Sequence, residues 1–231
     1  MPLYMTQKGV NNLWHFDAIP WVDAVGGASM TNSGAFLGTG YQKFGVSCLA
    51  CYMDAVHRGY AYKTIGDIDR EKRFSVDFWI ATDFGAVNLG DVGTSIDVLR
   101  IKNISGNKYS LTMELTLDSS LLCHTIITLI NSNGTSYSFT STTNDISLTP
   151  VHIAIVRDSD TTVKYYRAGI LINTFTVAAT YEFDSGTIYV GNYIDLGTAT
   201  YPNELAIDEL RLASGVKFSA AFTPPTVVYD L

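Results

Sequence analysis

The chain has 231 residues, 47% hydrophobic and 12% aromatic, with only 16% charged and a formal net charge of −7. That balance excludes a disordered chain, which needs low hydrophobicity and high charge. It also gives no electrostatic footprint for nucleic acid or for an anionic membrane. Glutamates are few (Glu71, Glu114, Glu182, Glu204 and Glu209) while Thr, Ser, Tyr and Val are abundant, which favours strands over helices.

The opening Met1-Pro2-Leu3-Tyr4-Met5-Thr6-Gln7-Lys8 lacks the basic start and apolar core of a secretory signal. No apolar run reaches membrane-spanning length. Residues 1–11 are read as a leader or attachment arm ahead of a single domain over 12–231. The first predicted strand is Asn12–Asp17, with Leu13, His15 and Asp17 on one face and Trp14 and Phe16 on the other. Turn signals crowd Asp23–Gly40, at Gly26-Gly27, Asn32-Ser33-Gly34 and Gly38-Thr39-Gly40. A strand follows through Lys43–Leu49. Cys48 and Cys51 form a CxxC, but in a strand positions three apart face opposite sides, so they are expected as buried free thiols rather than metal ligands. Cys123-His124 carries the same geometric problem. Tyr52–Lys72 is the least regular stretch and is expected to be a long surface loop carrying Tyr52, His57, Tyr60 and Tyr62.

Arg73–Ile80 is the clearest central strand, with Phe74, Val76, Phe78 and Ile80 toward the core and Ser75, Asp77 and Trp79 on the other face. A meander is predicted next: Ser95–Lys102, Lys108–Leu117, Leu121–Asn131 and Ser136–Thr142. Its turns are Ser105-Gly106-Asn107, Asp118-Ser119 and Asn133-Gly134. Leu121–Ile130 is apolar enough for burial on both faces or for a partner contact. Further strands are expected within Thr149–Asp158, Thr162–Tyr166, Ala168–Ile172 and Gly186–Asn192. In the last one, Ala206–Ala213, period-2 alternation sends Ile207, Glu209, Arg211 and Ala213 one way and Asp208, Leu210 and Leu212 the other. No repeat and no domain boundary interrupts the chain. About a dozen strands in two facing antiparallel sheets make an all-β sandwich of jelly-roll type.

Several segments carry a resemblance. Ile207-Asp208-Glu209, Ser214-Gly215-Val216, Phe218 and Phe222-Thr223-Pro224-Pro225 resemble the closing strand and tail of laminin-G-like, concanavalin A-like lectin/glucanase jelly-roll domains, notably those of tailed-bacteriophage virion proteins. Phe74–Ile80, the Thr149–Asp158 and Thr162–Ile172 hairpin pair, with Pro150-Val151 where the family has Trp-His, and Gly186–Asn192 resemble the same family in the same order. The resemblance implies a final strand paired beside the first. It also implies a non-catalytic virion structural protein, a capsid decoration, fibre or tail component, made in the host cytoplasm without a signal peptide. Its partners would be other virion proteins and host or environmental glycans, in an oligomer or larger assembly. The alternatives are a glycan-active enzyme of the glucanase superfamily and a free-standing bacterial carbohydrate-binding protein.

Three chemistries bear on these residues. The related glucanases carry Glu-x-Asp-x-x-Glu on one strand; the nearest match, Glu182-Phe183-Asp184, lacks the second glutamate, and His15, His57, His124 and His152 fit no nucleophile–base pattern. The resemblance implies a structural calcium at Asp208 and Asp17 with carbonyls of the Gly38–Gly40 loop, Gly40 included; the alternative is that Asp208 only accepts hydrogen bonds from turn amides. Carbohydrate docks on exposed aromatic faces with polar neighbours. The candidates are Trp79, Tyr60, Tyr62, Tyr166, Tyr193 and Tyr201, each of which could instead pack in the core or between the sheets.

Overall fold

A computed structural model of the chain describes residues 10–54, 59–66, 73–82, 95–103, 109–120, 122–131, 133–142, 146–179, 186–192 and 200–229. Among these residues there are fifteen strands and no helix. In chain order they are β1 Val10–Trp14, β2 Thr31–Ser33, β3 Phe36–Gly38, β4 Cys48–Asp54, β5 Tyr60–Ile65, β6 Phe74–Thr82, β7 Ser95–Asn103 and β8 Tyr109–Leu117. There follow β9 Cys123–Ile130, β10 Ser136–Thr140, β11 Val151–Arg157, β12 Thr162–Arg167, β13 Ile170–Thr176, β14 Gly186–Gly191 and β15 Thr200–Ser214. One sheet has eight strands, ordered β13-β12-β11-β6-β15-β4-β3 with β1 added beside β15. The other has seven, ordered β10-β9-β8-β7-β14-β5-β2. All the ladders between strands are antiparallel, so the molecule is a two-sheet jelly-roll sandwich.

The inner faces follow the period-2 pattern. Phe74, Val76, Phe78 and Ile80 of β6 meet Leu111, Met113, Leu115 and Leu117 of β8 and Ile127 and Leu129 of β9 in one core. Each such side chain removed from water contributes about 1.5–3 kcal/mol. In β9 the alternate residues are only half-buried, so it has one core face and not the two its composition suggested. The stretch Tyr52–Lys72 is more regular than expected, because it contains the end of β4 and all of β5.

β15 organises the eight-stranded sheet. One of its edges pairs along β6 from Leu205 to Ser214, while the other takes β4 against Thr200–Ile207 and β1 against Leu210–Ala213. The two ends of the described chain therefore lie side by side. Val10 and Asn11 belong to β1, so the strand begins inside the expected leader; residues 1–9 lie outside the described part. Asp23 extends this corner, accepting the Leu13 amide at 3.0 Å and the Asn12 side-chain amide at 2.6 Å.

The alternation expected through Ile207–Ala213 does not hold. Asp208 sits opposite Trp79 and Arg211 opposite Asp77, so β15 carries one residue more than β6 across this interval, a β-bulge. Glu209 absorbs it at φ 52°, a left-handed conformation uncommon for a non-glycine residue. The bulge resets the parity. Ile207, Leu210 and Leu212 enter the core, and Asp208, Arg211 and Ala213 face outward.

What meets Arg211 on that outer face is a second, smaller interior. Residues 215–229 cross back over the sheet. Phe218 and Phe222 stack with centroids 3.8 Å apart and cover Tyr166, Ala154 and Val156. Arg211 grips Asp77 in a two-pronged ion pair, Nε to Oδ1 at 3.0 Å and Nη2 to Oδ2 at 2.9 Å, with its guanidinium 4.1 Å from the Tyr229 ring centroid. The Tyr229 hydroxyl donates to Asp77, and His152 Nε2 lies 3.2 Å from Asp77 Oδ2 and 2.9 Å from the Tyr229 oxygen. Burial alone would raise the Asp77 pKa, but Arg211 and His152 outweigh it and bring it down to about 2.

A depressed carboxylate contributes stability that is present above its unfolded value of 3.8 and is lost as pH falls toward about 2. Asp77→Ala strands the Arg211 cation in a buried site and should cost about 3–5 kcal/mol. Urea unfolding should show that loss at pH 7 together with a flatter acid limb; a change under 1 kcal/mol would mean the pair is not holding the tail.

Candidate carbohydrate-binding surface

The six candidate aromatic residues separate between the two sheets. Trp79 and Tyr166 lie on the outer face of the eight-stranded sheet, under the tail and its neighbours. Trp79 is 6% exposed, with Phe44 edge-on at 5.8 Å and the Lys43 ammonium 4.4 Å from its ring centroid. Tyr166 is fully buried against Phe222. Neither presents an open ring. Tyr193 lies outside the described residues; Tyr201 lies in β15, its side chain undescribed.

Tyr60 and Tyr62 come together. They are two apart on β5, hence on the same face, and that face is the outer one because Ala61 and Ile65 take the core. Tyr189 of β14 is the direct cross-strand partner of Tyr62. The three rings form a triangle with centroids 5.9–6.0 Å apart, and Tyr62 and Tyr189 are inclined by only 24°. All three are half-buried. Tyr189 was not singled out from sequence, although its alternation with Ile188 and Val190 places it outward.

Beyond the tyrosines the outer face turns polar, with Arg100 and Thr112 themselves buried there. Register aligns Thr31, Tyr62, Tyr189, Arg100, Thr112, Thr128 and Ser138 in one row across all seven strands. At the usual strand spacing the row is roughly 30 Å long. Arg100 stands next to Tyr189 and holds two carboxylates: Nη2 donates to Glu114 Oε1 at 2.7 Å and Nε to Asp97. Asp97 and Glu114 are themselves cross-strand partners. An aromatic platform beside fixed donors and acceptors can pack the apolar face of a sugar ring and hydrogen-bond its hydroxyls.

The other expected sites look different. Cys48 and Cys51 are buried free thiols on opposite faces of β4, and burial pushes each up to about 12. His124 points outward with Nε2 2.9 Å from Asp118 Oδ2, while Cys123 points into the core. His15 Nδ1 lies 2.8 Å from Glu209 Oε1. His57 and Glu182 fall outside the described residues.

The calcium expectation meets an unfavourable donor set. Asp208 Oδ2 accepts the Lys43 and Phe44 amides at 2.9 and 3.0 Å, and its Oδ1 accepts the Glu209 amide at 2.9 Å. Asp17 Oδ1 accepts the Val46 and Ser47 amides at 2.8 and 3.3 Å. Both carboxylates thus clasp the 43–47 loop, and Gly45 at φ 62° is essential there, since a Cβ would fall 2.0 Å from Asp17 Oδ1. Gly40 stands in open space. Burial pushes Asp208 up to about 7 against those three amides. A cation wants oxygen ligands, not N–H groups aimed at it, so these residues do not fit calcium as arranged. The melting temperature should accordingly be the same in EDTA and in millimolar calcium; a calcium-dependent rise that disappears in Asp208→Asn would show that the loop rearranges around an ion.

Comparison with known proteins agrees with this architecture. Among solved structures, the binding domain of botulinum neurotoxin serotype G superposes with a TM-score of 0.66 at 14% identity, over 90% of this chain and 48% of that one. A botulinum neurotoxin type C structure, whose title states that cell entry depends on interaction with two ganglioside molecules, gives 0.67 at 15% identity, with 90% and 48% covered. The binding domain of botulinum neurotoxin DC in complex with SialylT gives 0.67 at 15%, with 91% and 49% covered. The chain spans about half the length of these proteins, and at such identity the likeness is one of fold. A comparison with curated protein sequences returned no match. The family model for Laminin_G_3 matches residues 57–220, most of the sandwich, and the chain belongs to this family of the concanavalin A-like lectin/glucanases superfamily.

Proposed function

We propose that this chain is a non-catalytic, lectin-like domain that binds glycans on the outer face of its seven-stranded sheet. The observation that carries this reading is the convergence of Tyr60, Tyr62 and Tyr189 into one half-exposed aromatic platform beside the Arg100–Glu114 pair. On the opposite outer face Tyr166 is covered by the chain's own tail and Trp79 by Lys43 and Phe44. Glycan binding by the neurotoxin neighbours named above is consistent with this reading but belongs to proteins twice as long.

Absence of catalysis is part of the proposal. Asp97 and Glu114 face each other across two strands, as a pair of glycosidase carboxylates would. A retaining glycosidase needs one of the two as a protonated acid and the other as a free nucleophile. Here one guanidinium hydrogen-bonds to both, so the carboxylate oxygens that would attack or protonate a substrate are already engaged.

The finer reading is that the domain sits on a bacteriophage virion, as a capsid decoration, fibre or tail component, with other virion proteins as partners. Its support is the resemblance of Ile207-Asp208-Glu209 and Phe222-Thr223-Pro224-Pro225 to the closing segments of such proteins. Mass spectrometry of purified particles tests that placement directly.

A glycan array followed by calorimetry on its best hit tests the binding site. One lost ring contact is worth about 0.5–1.5 kcal/mol, so Tyr62→Ala should weaken binding by up to about tenfold, and a variant also lacking Tyr189 should abolish it. Trp79→Phe should leave affinity unchanged. An array with no hits, or a loss at Trp79 and not at Tyr62, would overturn the reading.

A further inference from the structure

The two sheets end together on one flank. β10 is an outer strand of the seven-stranded sheet and β13 an outer strand of the eight-stranded one. Phe139 of β10 stacks on Phe175 of β13, centroids 6.2 Å apart and planes 17° apart, so both edges border the same side of the molecule. At the other ends of the sheets are β2 and β3, only three residues each. β10 and β13 run to five and seven residues.

An exposed edge of that length is a template for another strand, and proteins blunt it with charge or proline. Neither is used here. The sequence has no Asp, Glu, Lys, Arg or Pro from 119 to 144 or from 168 to 181, in a chain with 15 Lys and Arg and 22 Asp and Glu. Large apolar side chains stand open at the start of β13, where Ile170 is 63% and Leu171 42% exposed.

We propose that this flank is a self-association surface, on which β13 pairs antiparallel with β13 of a second copy while the two β10 strands meet alongside. Charge argues for a second copy as the occupant. The chain is −7 overall, so identical copies repel across most approaches, and this flank lets two of them meet without opposing like charges from β10 or β13. An identical edge is also self-complementary for an antiparallel ladder. A two-fold axis normal to the sheets brings β13 to β13 and β10 to β10 in one operation. That axis does not turn the sheets over, so both tyrosine platforms look the same way. If the platform binds glycan as proposed above, the dimer presents two sites to one surface, with the gain in avidity that follows; the association itself does not depend on that reading.

Sedimentation equilibrium on the full chain is the test. Wild type should run at twice the chain mass. The Leu171→Lys, Thr174→Lys variant, altered at two exposed positions, should run as a folded monomer with unchanged circular dichroism. Mixing it with the matching Leu171→Glu, Thr174→Glu variant should restore the dimer, because opposite charges then face each other across the seam. Should the β13 variant fail to fold, Ser138→Lys on the exposed side of β10 gives the same readout. A wild type monomeric at its highest soluble concentration, a folded lysine variant that stays dimeric, or a charge-swapped mixture that stays monomeric would overturn the proposal.

Discussion

The ion pair between Asp77 and Arg211 is the constraint on which the rest of this molecule rests. Two opposite charges lie on adjacent strands, away from water, and neither is tolerable there without the other. Their meeting requires the bulge at Glu209, because without the extra residue Arg211 would turn into the core. The bulge in turn leaves Glu209 in a left-handed conformation. Its carboxylate is held by the Tyr229 amide at 3.0 Å and by His15 at 2.8 Å. First strand, last strand and tail are thereby tied at one place.

That closure divides the labour between the two outer faces. With Tyr229, Phe218 and Phe222 laid over β6, β11 and β12, the middle of the eight-stranded sheet is covered on both sides and behaves as interior. The seven-stranded sheet has its core on one side, and its other side carries the partly exposed tyrosines beside a buried, bridged arginine. Binding is assigned to the second face because the first is already occupied. A superfamily that contains both lectins and glucanases supplies the scaffold for either outcome. In the proposed reading, the Arg100 bridge between Asp97 and Glu114 is the feature that favours recognition over hydrolysis.

Much of this was legible in the sequence. Strict alternation in Phe74–Ile80 and the turn signals of the meander place β6 to β10 within a residue or two of where they lie, and the pairing of the last strand with the first follows from the closing motif. The bulge was not legible. Ile207–Ala213 reads as an unbroken alternation, and only the requirement to pair Arg211 with Asp77 breaks it. The aromatic site was half legible. Outward parity is visible for Trp79, whereas Tyr60 and Tyr62 fall in a stretch that reads as a loop and share a face only through β5. What closes the other face is the tail over Tyr166 and the Lys43–Phe44 segment over Trp79, tertiary facts with no local signature. Tyr189 and Arg100 join the platform through strand register, which links residues far apart in the chain.

Hydrogen exchange read by mass spectrometry, with and without a saturating glycan identified on an array, tests the division between the two faces most directly. The account predicts added protection in β5, β7 and β14 and none in residues 215–229. Protection concentrated in that tail and in β6 and β11, with the tyrosine strands unchanged, would contradict it.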